Sequence, residues 1–486
     1  MSSRATAFLG IDLGSSELRG GLITTDGRCL ALARYPYETV VRPEDGRAEQ
    51  DADAWWQGLV AVVRELSATV DVEVAGICLD GHGPTLTAVD RQGLPVRAAI
   101  TWLDQRARGE AAELAARTGL LGWALGVLPA ALWLERHEPE VAARAAWYLN
   151  SWEALTMRLT GLARTTLAAS QAWPRGEDLA ALGLPAAKLA PTAASGDVVG
   201  GLEPAAAAAL GIPAGTPVVA GMVDAFASFH GAAMARPGDA LDVGGSAGGF
   251  GVYWAEPATA RGAFTTPAPL AGLFVVGGAM AATGRAVAWF REQVLVTETS
   301  AAELIEEASM VAPGADGLVF LPYLAGERSP IWDPHARGAF VGLTLAHGRS
   351  HLTRAILEAA ALAIRHVAEP ILEAGVRVEA MRVSGAPARS DTWNQLKADI
   401  TGFPVEVPRV LETAVVGCAI LAAAGVGAFP DIPAAIASMT AIDRRLEPDP
   451  ARADVYSRTY EAYRALYPAL APVLEKLRTR ETVGVS

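Results

Sequence analysis

Two short stretches half a chain apart carry almost the same residues, and this repeat constrains the fold more than any other feature. IDLGSS at residues 11–16 and LDVGGS at residues 241–246 each have the pattern apolar, Asp, apolar, Gly, small, Ser, and each follows an apolar, strand-like run. A repeat of this kind indicates two similar domains built on one plan. A turn at residues 236–239 separates the halves, which predicts one domain at residues 1–235 and another at 236–486.

The first repeat lies in a turn between strands. Apolar runs at residues 7–12, 18–24 and 28–35 are joined by this turn and by Thr25-Asp26-Gly27, which has the composition of a tight turn. This order predicts an antiparallel meander. The Asp12 loop is therefore not the first turn of a nucleotide-binding βαβ unit, and the chain contains no GxxxxGK[ST] or GxGxxG motif.

Composition narrows the function classes. A chain of 486 residues is too long for one core, and its net charge of -13 argues against a nucleic-acid partner. The cysteines at positions 29, 78 and 418 are too scattered for a disulfide framework or a zinc site, and Cys78 and Cys418 are expected to be core residues. The uncharged stretches 204–223 and 262–284 are broken by Pro and Gly, which argues against membrane spans. No signal peptide precedes the first strand, so a cytoplasmic protein is expected.

The second half of the chain shows clearer helices. Helical periodicity at residues 351–375 includes Pro370, which predicts a kink or a restart there. A strand at 381–384 is followed by a helix at 391–401, which Ser390 can cap and Gly402 can end. A further strand is predicted at 405–407 and a helix at 415–424, and the tail from residue 431 onward is predicted to be helical.

The two Asp-x-Gly loops are candidate phosphate sites. Glycine allows a phosphate to approach the backbone closely, and consecutive amides in a tight turn form an anion-binding nest. Ser15, Ser16 and Ser246 add hydroxyl donors, and Arg19 adds a cation. Asp12 would repel a phosphate unless a Mg²⁺ ion lay between them. Turns with no ligand would explain one such loop, whereas two matching loops favour binding.

Asp224 follows an apolar strand at 218–223 and opens an Ala-rich helix. A carboxylate at such a place can cap the helix, act as a general base in phosphoryl transfer to a hydroxyl, or do both.

A third group of polar residues is suited to a sugar. Asp80, Gly81, His82 and Gly83 follow an apolar strand at 74–79. Trp102, Asp104 and Arg106 follow later, so that hydroxyl partners and an aromatic face lie in one domain. The competing interpretations are a structural turn at His82 and a surface ion pair at the start of a helix. Ser384, Gly385 and Ala386 end a strand, where small residues permit either adenine binding or tight strand-to-helix packing.

These residues together resemble the FGGY family of carbohydrate kinases, within the actin-like ATPase superfamily. Residues 338–358 are similar to the C-terminal signature of the family, and LPYLAGERSPIWDP at 321–334 is similar to the segment before it. Residues 10–16 resemble the first phosphate loop, and residues 384–386 and 394–402 resemble the adenosine region. The similarity covers nearly the whole chain in the expected order.

The resemblance implies an α/β protein of two ribonuclease-H-like domains with a cleft, the first binding sugar and the second binding ATP. It implies that Asp224 is the catalytic base and that Mg²⁺ lies near Asp12 and Asp224. Sugar-binding residues would be Asp80, Gly81, His82, Gly83, Trp102, Asp104 and Arg106. Residues that bind ATP or its phosphates would be Gly14, Ser15, Ser16, Arg19, Gly244, Gly245, Ser246, Gly284, Gly385 and Ala386. Members of the family often form dimers, so a homodimer is left open.

Several positions depart from xylulokinase-like members. Asp80 stands where Gln is usual, Ala225 where Asn is common, and Arg19 where Lys is common. Gly245 replaces Thr, and Ser384 and Ala386 replace glycines. A carboxylate at Asp80 would accept hydrogen bonds from hydroxyls and disfavour an acidic substrate such as gluconate. The expected substrate is a ketopentose such as xylulose. The alternatives are another ketose such as ribulose, a polyol such as erythritol or glycerol, a non-catalytic sugar- or nucleotide-binding protein, and an actin-like phosphatase.

Overall fold

The computed structural model describes residues 4–42, 44–120, 122–166, 173–245 and 247–477. The chain forms two compact units. The first, the N-unit, comprises Met1–Ala233, Pro269–Ala271 and Glu412–Ala441, and the second, the C-unit, comprises Met234–Ala268, Gly272–Leu411 and Ile442–Ser486. The predicted boundary at 235/236 lies two residues beyond Ala233, but residues 412–441 of the predicted second domain pack in the N-unit. The division into a sugar-binding and an ATP-binding domain stays a prediction.

The part of the N-unit that precedes Ala233 contains thirteen short or medium strands and eight helices within the described residues. The strands are β1 (Ala5–Leu13), β2 (Glu17–Thr24), β3 (Cys29–Pro36), β4 (Val40–Arg42), β5 (Arg47–Gln50), β6 (Val72–Gly81), β7 (Thr87–Val89), β8 (Ala99–Ile100), β9 (Trp147–Leu149), β10 (Thr165–Thr166), β11 (Thr192–Ala193), β12 (Val198–Gly201) and β13 (Pro217–Val219). The helices are α1 (Ala52–Thr69), α2 (Arg108–Thr118), α3 (Leu128–His137), α4 (Pro139–Arg144), α5 (Ser151–Thr160), α6 (Gly176–Leu182), α7 (Pro204–Leu210) and α8 (Asp224–Gly231).

The C-unit follows, with strands β14 (Asp239–Gly244), β15 (Gly248–Trp254), β16 (Phe264–Pro267), β17 (Phe274–Met280), β18 (Val319–Leu321), β19 (Ala339–Val341), β20 (Ala380–Val383) and β21 (Val405–Pro408). Its helices are α9 (Thr283–Trp289), α10 (Ala301–Ser309), α11 (Arg349–Glu373) and α12 (Asp391–Thr401). Helices α13 (Thr413–Gly425) and α14 (Ile432–Met439) then belong to the N-unit, and β22 (Ile442–Leu446) and α15 (Ala453–Leu477) return to the C-unit.

The two large sheets share one topology. In the N-unit the strand order is β12-β13-β6-β1-β2-β3, with β1, β2 and β3 antiparallel and β6 and β13 parallel to β1. In the C-unit β14, β15 and β17 form the antiparallel meander, and β20 and β21 run parallel to β14. The predicted meander and the predicted internal repeat are therefore confirmed, because both repeat sequences end the first strand of a meander.

The N-unit sheet is covered on both faces. Leu9, Ile11 and Leu13 of β1 alternate inward to meet Trp55 and Leu59 of α1 in a continuous core. The opposite face packs against α13, and a side chain at Gly10 would collide with the Val415 carbonyl. Sheet strands that are covered on both faces are apolar along their whole length, which explains the uninterrupted apolar run at the start of the chain.

Three expected elements differ in detail. Helix α11 continues through Pro370 to Glu373, because a proline in the last turn removes only one backbone hydrogen bond. The tail is not wholly helical, since residues Ile442–Leu446 form the edge strand β22. The strand expected before Asp224 is only three residues long, and β13 ends at Val219. None of the helices in the described residues is both long enough and apolar enough to cross a membrane.

Candidate active site

Three carboxylates lie at the ends of neighbouring elements of the N-unit. Asp12 is the penultimate residue of β1 and stands opposite Asp80 of β6 in the parallel register. Asp224 is the first residue of α8, and a bridge between Gly81 and Val223 fixes the start of that helix beside the end of β6. In parallel sheets, the carboxyl ends of the strands are the usual place for ligands. The structure thus brings together three residues that are far apart in the sequence.

Arg19 is the cation of this cluster. Its Nη2 lies 2.9 Å from Oδ2 of Asp12, and the two residues are antiparallel partners in β1 and β2. A side chain at Gly14 would come within 2.8 Å of the same guanidinium nitrogen, so glycine leaves room for this ion pair. The Asp12 carboxylate is the main cause of the raised pKa of Arg19. Among the described residues, Oδ1 of Asp12 is buried and has no hydrogen-bond partner.

Asp224 is not the capping residue of its helix, because Val223 occupies that position. Its Oδ1 accepts a hydrogen bond from the N–H of Ala225 at 2.7 Å. The pKa of Asp224 is raised to about 6, chiefly by burial and also by the charge of Asp12, while the Ala225 N–H and Arg19 act in the opposite direction. A carboxylate with a pKa near neutrality can both accept and release a proton, which is the property a general base needs.

Asp80 is fully buried, and neither of its carboxylate oxygens has a hydrogen-bond partner within the described part of the chain. Burial raises its pKa well above the usual value, and the charges of Asp12 and Asp224 raise it further. The thiol of Cys418, which donates to the Ile11 carbonyl at 3.4 Å, has the opposite effect on this pKa. Cys418 is a core residue, as expected, but its position beside Asp80 was not foreseen.

Hydrogen bonds to its backbone carbonyls hold the predicted first phosphate loop in place. The hydroxyl of Tyr37 donates to the Gly14 carbonyl, and the N–H of Tyr37 donates to the Ser16 carbonyl at 3.0 Å. The Ser15 carbonyl accepts from the Thr39 hydroxyl at 3.0 Å and from Nε2 of Gln50 at 2.7 Å. Tyr37 and Gln50 were not identified from the sequence, because no local motif marks a residue that supports a loop from another strand.

The predicted sugar loop is tightly packed around His82. Burial lowers the pKa of His82 to about 3, so the imidazole is neutral. Its Nδ1 lies 2.8 Å from the Thr85 hydroxyl, while its Nε2 is buried and has no partner among the described residues. Side chains at Gly81 and Gly83 would come within 2.7 Å of Ser151 and 3.0 Å of Trp152, so the glycines allow α5 to approach the loop.

The second predicted sugar segment differs from a surface ion pair. Asp104 accepts from the Nε and Nη2 of Arg106 at 2.9 and 2.7 Å, and from the N–H of Ala48 at 2.7 Å. Arg106 also meets Glu49 at 2.6 Å and lies over the ring of Trp133. Both side chains of the Asp104–Arg106 pair are almost fully buried. Trp102 is half-buried, and its Nε1 donates to the Ser15 hydroxyl at 3.1 Å.

The C-unit brings together the glycines that were predicted to bind ATP. Side chains at Gly244 and Gly385 would each strike the backbone of the other loop, and one at Gly284 would strike the carbonyl of Gly245. Gly385 has a φ of 69°, which favours glycine, and Ala386 begins a short 3₁₀ turn behind it. Ser246 lies outside the described residues. The backbones of the predicted phosphate and adenosine loops thus lie next to each other within the C-unit.

A buried ion pair beneath these loops was missed. Nζ of Lys397 in α12 lies 2.6 Å from Oδ2 of Asp242, at the end of β14. Together with Gly244, Thr283, Gly284, Pro387 and Trp393, the pair lines a shallow depression. The hydroxyl of Ser384 accepts from the Gly244 N–H at 3.1 Å, which ties the two loops together. The repeat could have pointed to this pair, because it places Asp242 at the position that corresponds to Asp12.

Comparison with known proteins shows the family. The model of the FGGY family of carbohydrate kinases, N-terminal domain, matches residues 7–231, and the C-terminal domain model matches residues 243–426. A xylulose kinase of Escherichia coli (strain K12) is 31% identical over 496 residues, covering 96% of this chain and 100% of that protein. A gluconokinase of Bacillus licheniformis is 29% identical over 448 residues, covering 85% and 86%. The crystal structure of xylulose kinase from Rhodospirillum rubrum superposes with a TM-score of 0.80 at 32% identity, covering 96% and 100%.

Two meander-based α/β units with paired glycine loops define an actin-like, ribonuclease-H-like ATPase fold, as predicted. The chain belongs to the FGGY family of carbohydrate kinases. It is therefore a phosphotransferase that acts on a sugar, with ATP as the phosphate donor.

Proposed function

We propose that this kinase transfers the terminal phosphate of ATP to a hydroxyl of a ketopentose, with D-xylulose as the first candidate and Asp224 as the general base. The observation that carries the proposal is the cluster of Asp12, Asp80 and Asp224 at the strand ends, with Arg19 paired to Asp12. The xylulose kinases of E. coli and R. rubrum, which are similar along nearly the whole chain, support this substrate.

Asp224 is suited to accept the proton of the attacking hydroxyl. Its Oδ1 is oriented by the N–H of Ala225, and the side chain stands beside Asp12 and Arg19. As the sugar oxygen forms its bond to the terminal phosphorus, the bond from that phosphorus to ADP breaks, and the hydroxyl proton passes to Asp224. Arg19 supplies positive charge near the phosphoryl group that is transferred.

The carboxylates fit a nucleotide-bound Mg²⁺. The described residues contain no group of three or more His, Cys, Asp or Glu side chains that could hold a metal ion. However, the unpartnered Oδ1 of Asp12 together with Asp224 matches the one or two carboxylates that Mg²⁺ uses when waters and phosphates complete its shell. When bound, the ion would neutralise charge on the phosphates.

The sugar loop favours a neutral substrate. His82 is uncharged, Asp80 carries no positive charge in either protonation state, and Arg106, a cation of the second sugar segment, is already paired with Asp104 and Glu49. A sugar acid would therefore find no free cation among these predicted sugar residues, which argues against gluconate although one relative is a gluconokinase. Ribulose, erythritol and glycerol are the alternative acceptors. A cytoplasmic location and a homodimer are the corresponding expectations for the intact protein.

The test is a coupled ADP-release assay on ketoses, polyols and aldonates, with a no-sugar control. We expect turnover with a ketopentose and none with gluconate. Equal ADP release with and without every sugar would contradict a sugar kinase of this specificity. Turnover on gluconate alone would replace the ketopentose by a sugar acid.

The role of Asp224 has its own test. Asp224→Asn keeps the size of the side chain and is expected to lower kcat by roughly 10²–10⁴-fold with an unchanged melting temperature. Asp53→Asn, at the exposed start of α1 in the same unit, is the matched control and should keep wild-type turnover. An Asp224→Asn enzyme with wild-type kcat would remove Asp224 from the mechanism.

A further inference from the structure

The phosphate loop and the sugar loop of the N-unit are joined by a chain of hydrogen bonds. His82 Nδ1 lies 2.8 Å from the Thr85 hydroxyl, and that hydroxyl accepts from the backbone N–H of Trp102 at 3.3 Å. The indole Nε1 of Trp102 then donates to the hydroxyl of Ser15 at 3.1 Å. One residue, Trp102, thus contacts the support of His82 through its backbone and the phosphate loop through its side chain.

A second chain joins the same two ends. The ring of His82 meets the ring of Trp55 edge-on, with centroids 5.7 Å apart. Trp55 Nε1 donates to Oε1 of Gln50 at 3.1 Å, and Gln50 Nε2 donates to the Ser15 carbonyl at 2.7 Å. The two chains close into what we call the Ser15–His82 ring, whose members are Ser15, Gln50, Trp55, His82, Thr85 and Trp102.

Most of this ring is in the interior. His82, Thr85, Gln50 and Trp55 are at most 2% exposed, while Ser15 and Trp102 are half-buried. Buried polar groups are costly to leave unpaired, so a displacement at one end either carries its neighbours along or breaks a desolvated hydrogen bond. Ser15 belongs to the predicted phosphate loop and His82 to the predicted sugar loop, so a ligand at either loop acts on one end of the ring.

We propose that Trp102 is a positioning residue that couples a sugar at the His82 loop to the Ser15 phosphate loop, so that each ligand strengthens the binding of the other. The inference rests on the proposed function, because it takes the His82 loop as the sugar site. The coupling is reciprocal: a sugar that tightens nucleotide binding by some factor is itself bound tighter by that factor when nucleotide is present.

The coupling factor is the measured quantity. It is the Kd for the non-hydrolysable nucleotide MgAMP-PNP without sugar divided by the Kd at saturating D-xylulose, both from calorimetry. If the assay panel shows a better ketose substrate, that ketose is used instead. We expect a wild-type factor in the range of about 5–150. Trp102→Phe keeps an aromatic ring and the backbone bond but removes the indole N–H, and is expected to lower the factor at least fivefold.

The control variant removes a hydrogen bond from the phosphate loop without changing any member of the Ser15–His82 ring. Tyr37→Phe removes the hydroxyl that donates to the Gly14 carbonyl. It is expected to weaken nucleotide binding to the same extent with and without sugar and to leave the coupling factor unchanged. Thr85→Val, which breaks the chain at its other end, should reproduce the effect of Trp102→Phe and serves if that variant does not fold.

The possible results separate the two proposals. A ketose that is phosphorylated, together with an unchanged coupling factor in Trp102→Phe and Thr85→Val, overturns the coupling and leaves the kinase assignment standing. If no ketose binds, the proposed function fails, and a sugar-free comparison decides the coupling. In that comparison His82→Asn should weaken MgAMP-PNP binding in the wild-type background but not in the Trp102→Phe background. Equal effects in both backgrounds would refute transmission through Trp102.

Discussion

Asp12 and Asp242 occupy equivalent places, because each lies near the end of the first strand of a meander, beside a parallel strand. Each carboxylate is neutralised by a different kind of partner. Asp12 meets Arg19 from the next strand at 2.9 Å, whereas Asp242 meets Lys397 from a helix at 2.6 Å. The first ion pair lies in the candidate catalytic cluster and the second beneath the predicted nucleotide loops, so the repeated position is neutralised in two different surroundings.

Removing one member of the Asp242–Lys397 pair should be costly. Lys397→Met leaves the Asp242 carboxylate buried without its partner, and breaking such a pair typically costs about 3–5 kcal/mol of unfolding free energy. Urea denaturation measures this loss. Lys476→Met on the exposed end of α15 is the control and should change stability by less than about 0.5 kcal/mol. A double variant, Asp242→Asn with Lys397→Met, should recover part of the loss, and failure to recover any would argue against an electrostatic cause.

At the level of residues, the sequence identified groups that form their own motif and missed groups that support a motif from elsewhere. Asp12 and Asp224 are marked by the glycine loop and by the helix start beside them. Lys397 lies more than 150 positions from Asp242 in the sequence. Gln50 lies 35 positions from Ser15, and the two residues meet only in the folded chain. The Asp104–Arg106 pair was recognised, but its burial depends on distant residues that no local pattern reveals.

Helices α8 and α13 of the N-unit cross with their backbones in contact. A side chain at Gly231 of α8 would strike the Thr413 carbonyl, and one at Gly417 of α13 would strike the Ala227 carbonyl. The crossing is therefore closer than any two helices with side chains at these positions permit. Since Asp224 begins α8, the crossing also fixes the orientation of the helix that carries the proposed base.

Gly417→Ala should separate these helices. The added methyl group meets backbone rather than a flexible side chain, so we expect a loss of about 1–3 kcal/mol in unfolding free energy. A lower kcat should accompany the loss, because α8 positions Asp224. Gly109→Ala in α2 is the control: nothing lies within 4 Å of its new Cβ, and alanine favours a helix by up to about 1 kcal/mol. If both variants were equally stable, the close crossing would not be a constraint.

At the level of elements, the meander and the helix at 391–401 were predicted within a residue or two, because turn residues and caps mark their ends. Strand β22 was missed because Ile442–Leu446 includes three consecutive charged residues, Asp443 to Arg445, and carries no apolar alternation. It pairs only with β21 at the edge of the C-unit sheet, where a strand needs little apolar surface.

At the level of the whole molecule, the N-unit is not a contiguous piece of chain. Residues 412–441 complete it, and α13 covers one face of the sheet by packing on β1, β6 and α8. The sequence indicated two domains through the repeat. A repeat shows where a second, similar domain begins, but it does not show in which unit a later helix packs.

Expression of fragments tests this composition. Residues 1–235 alone leave the α13 face of the sheet exposed, so we expect an aggregating or molten product with weak near-ultraviolet circular dichroism. The same fragment joined by a flexible linker to residues 412–441 should fold cooperatively. A cooperative unfolding transition in the short fragment would show that α13 is dispensable for the N-unit.

The return of residues 412–441 also sets an order of events during synthesis. Strand β1 is synthesised before the helix that covers its second face, and that helix follows about four hundred residues later. At roughly 5–20 residues per second, the nascent sheet waits tens of seconds with that face uncovered. Glycines of this face, Gly10 among them, lie in direct contact with the backbone of α13, so the face stays open to other proteins until that helix has been made.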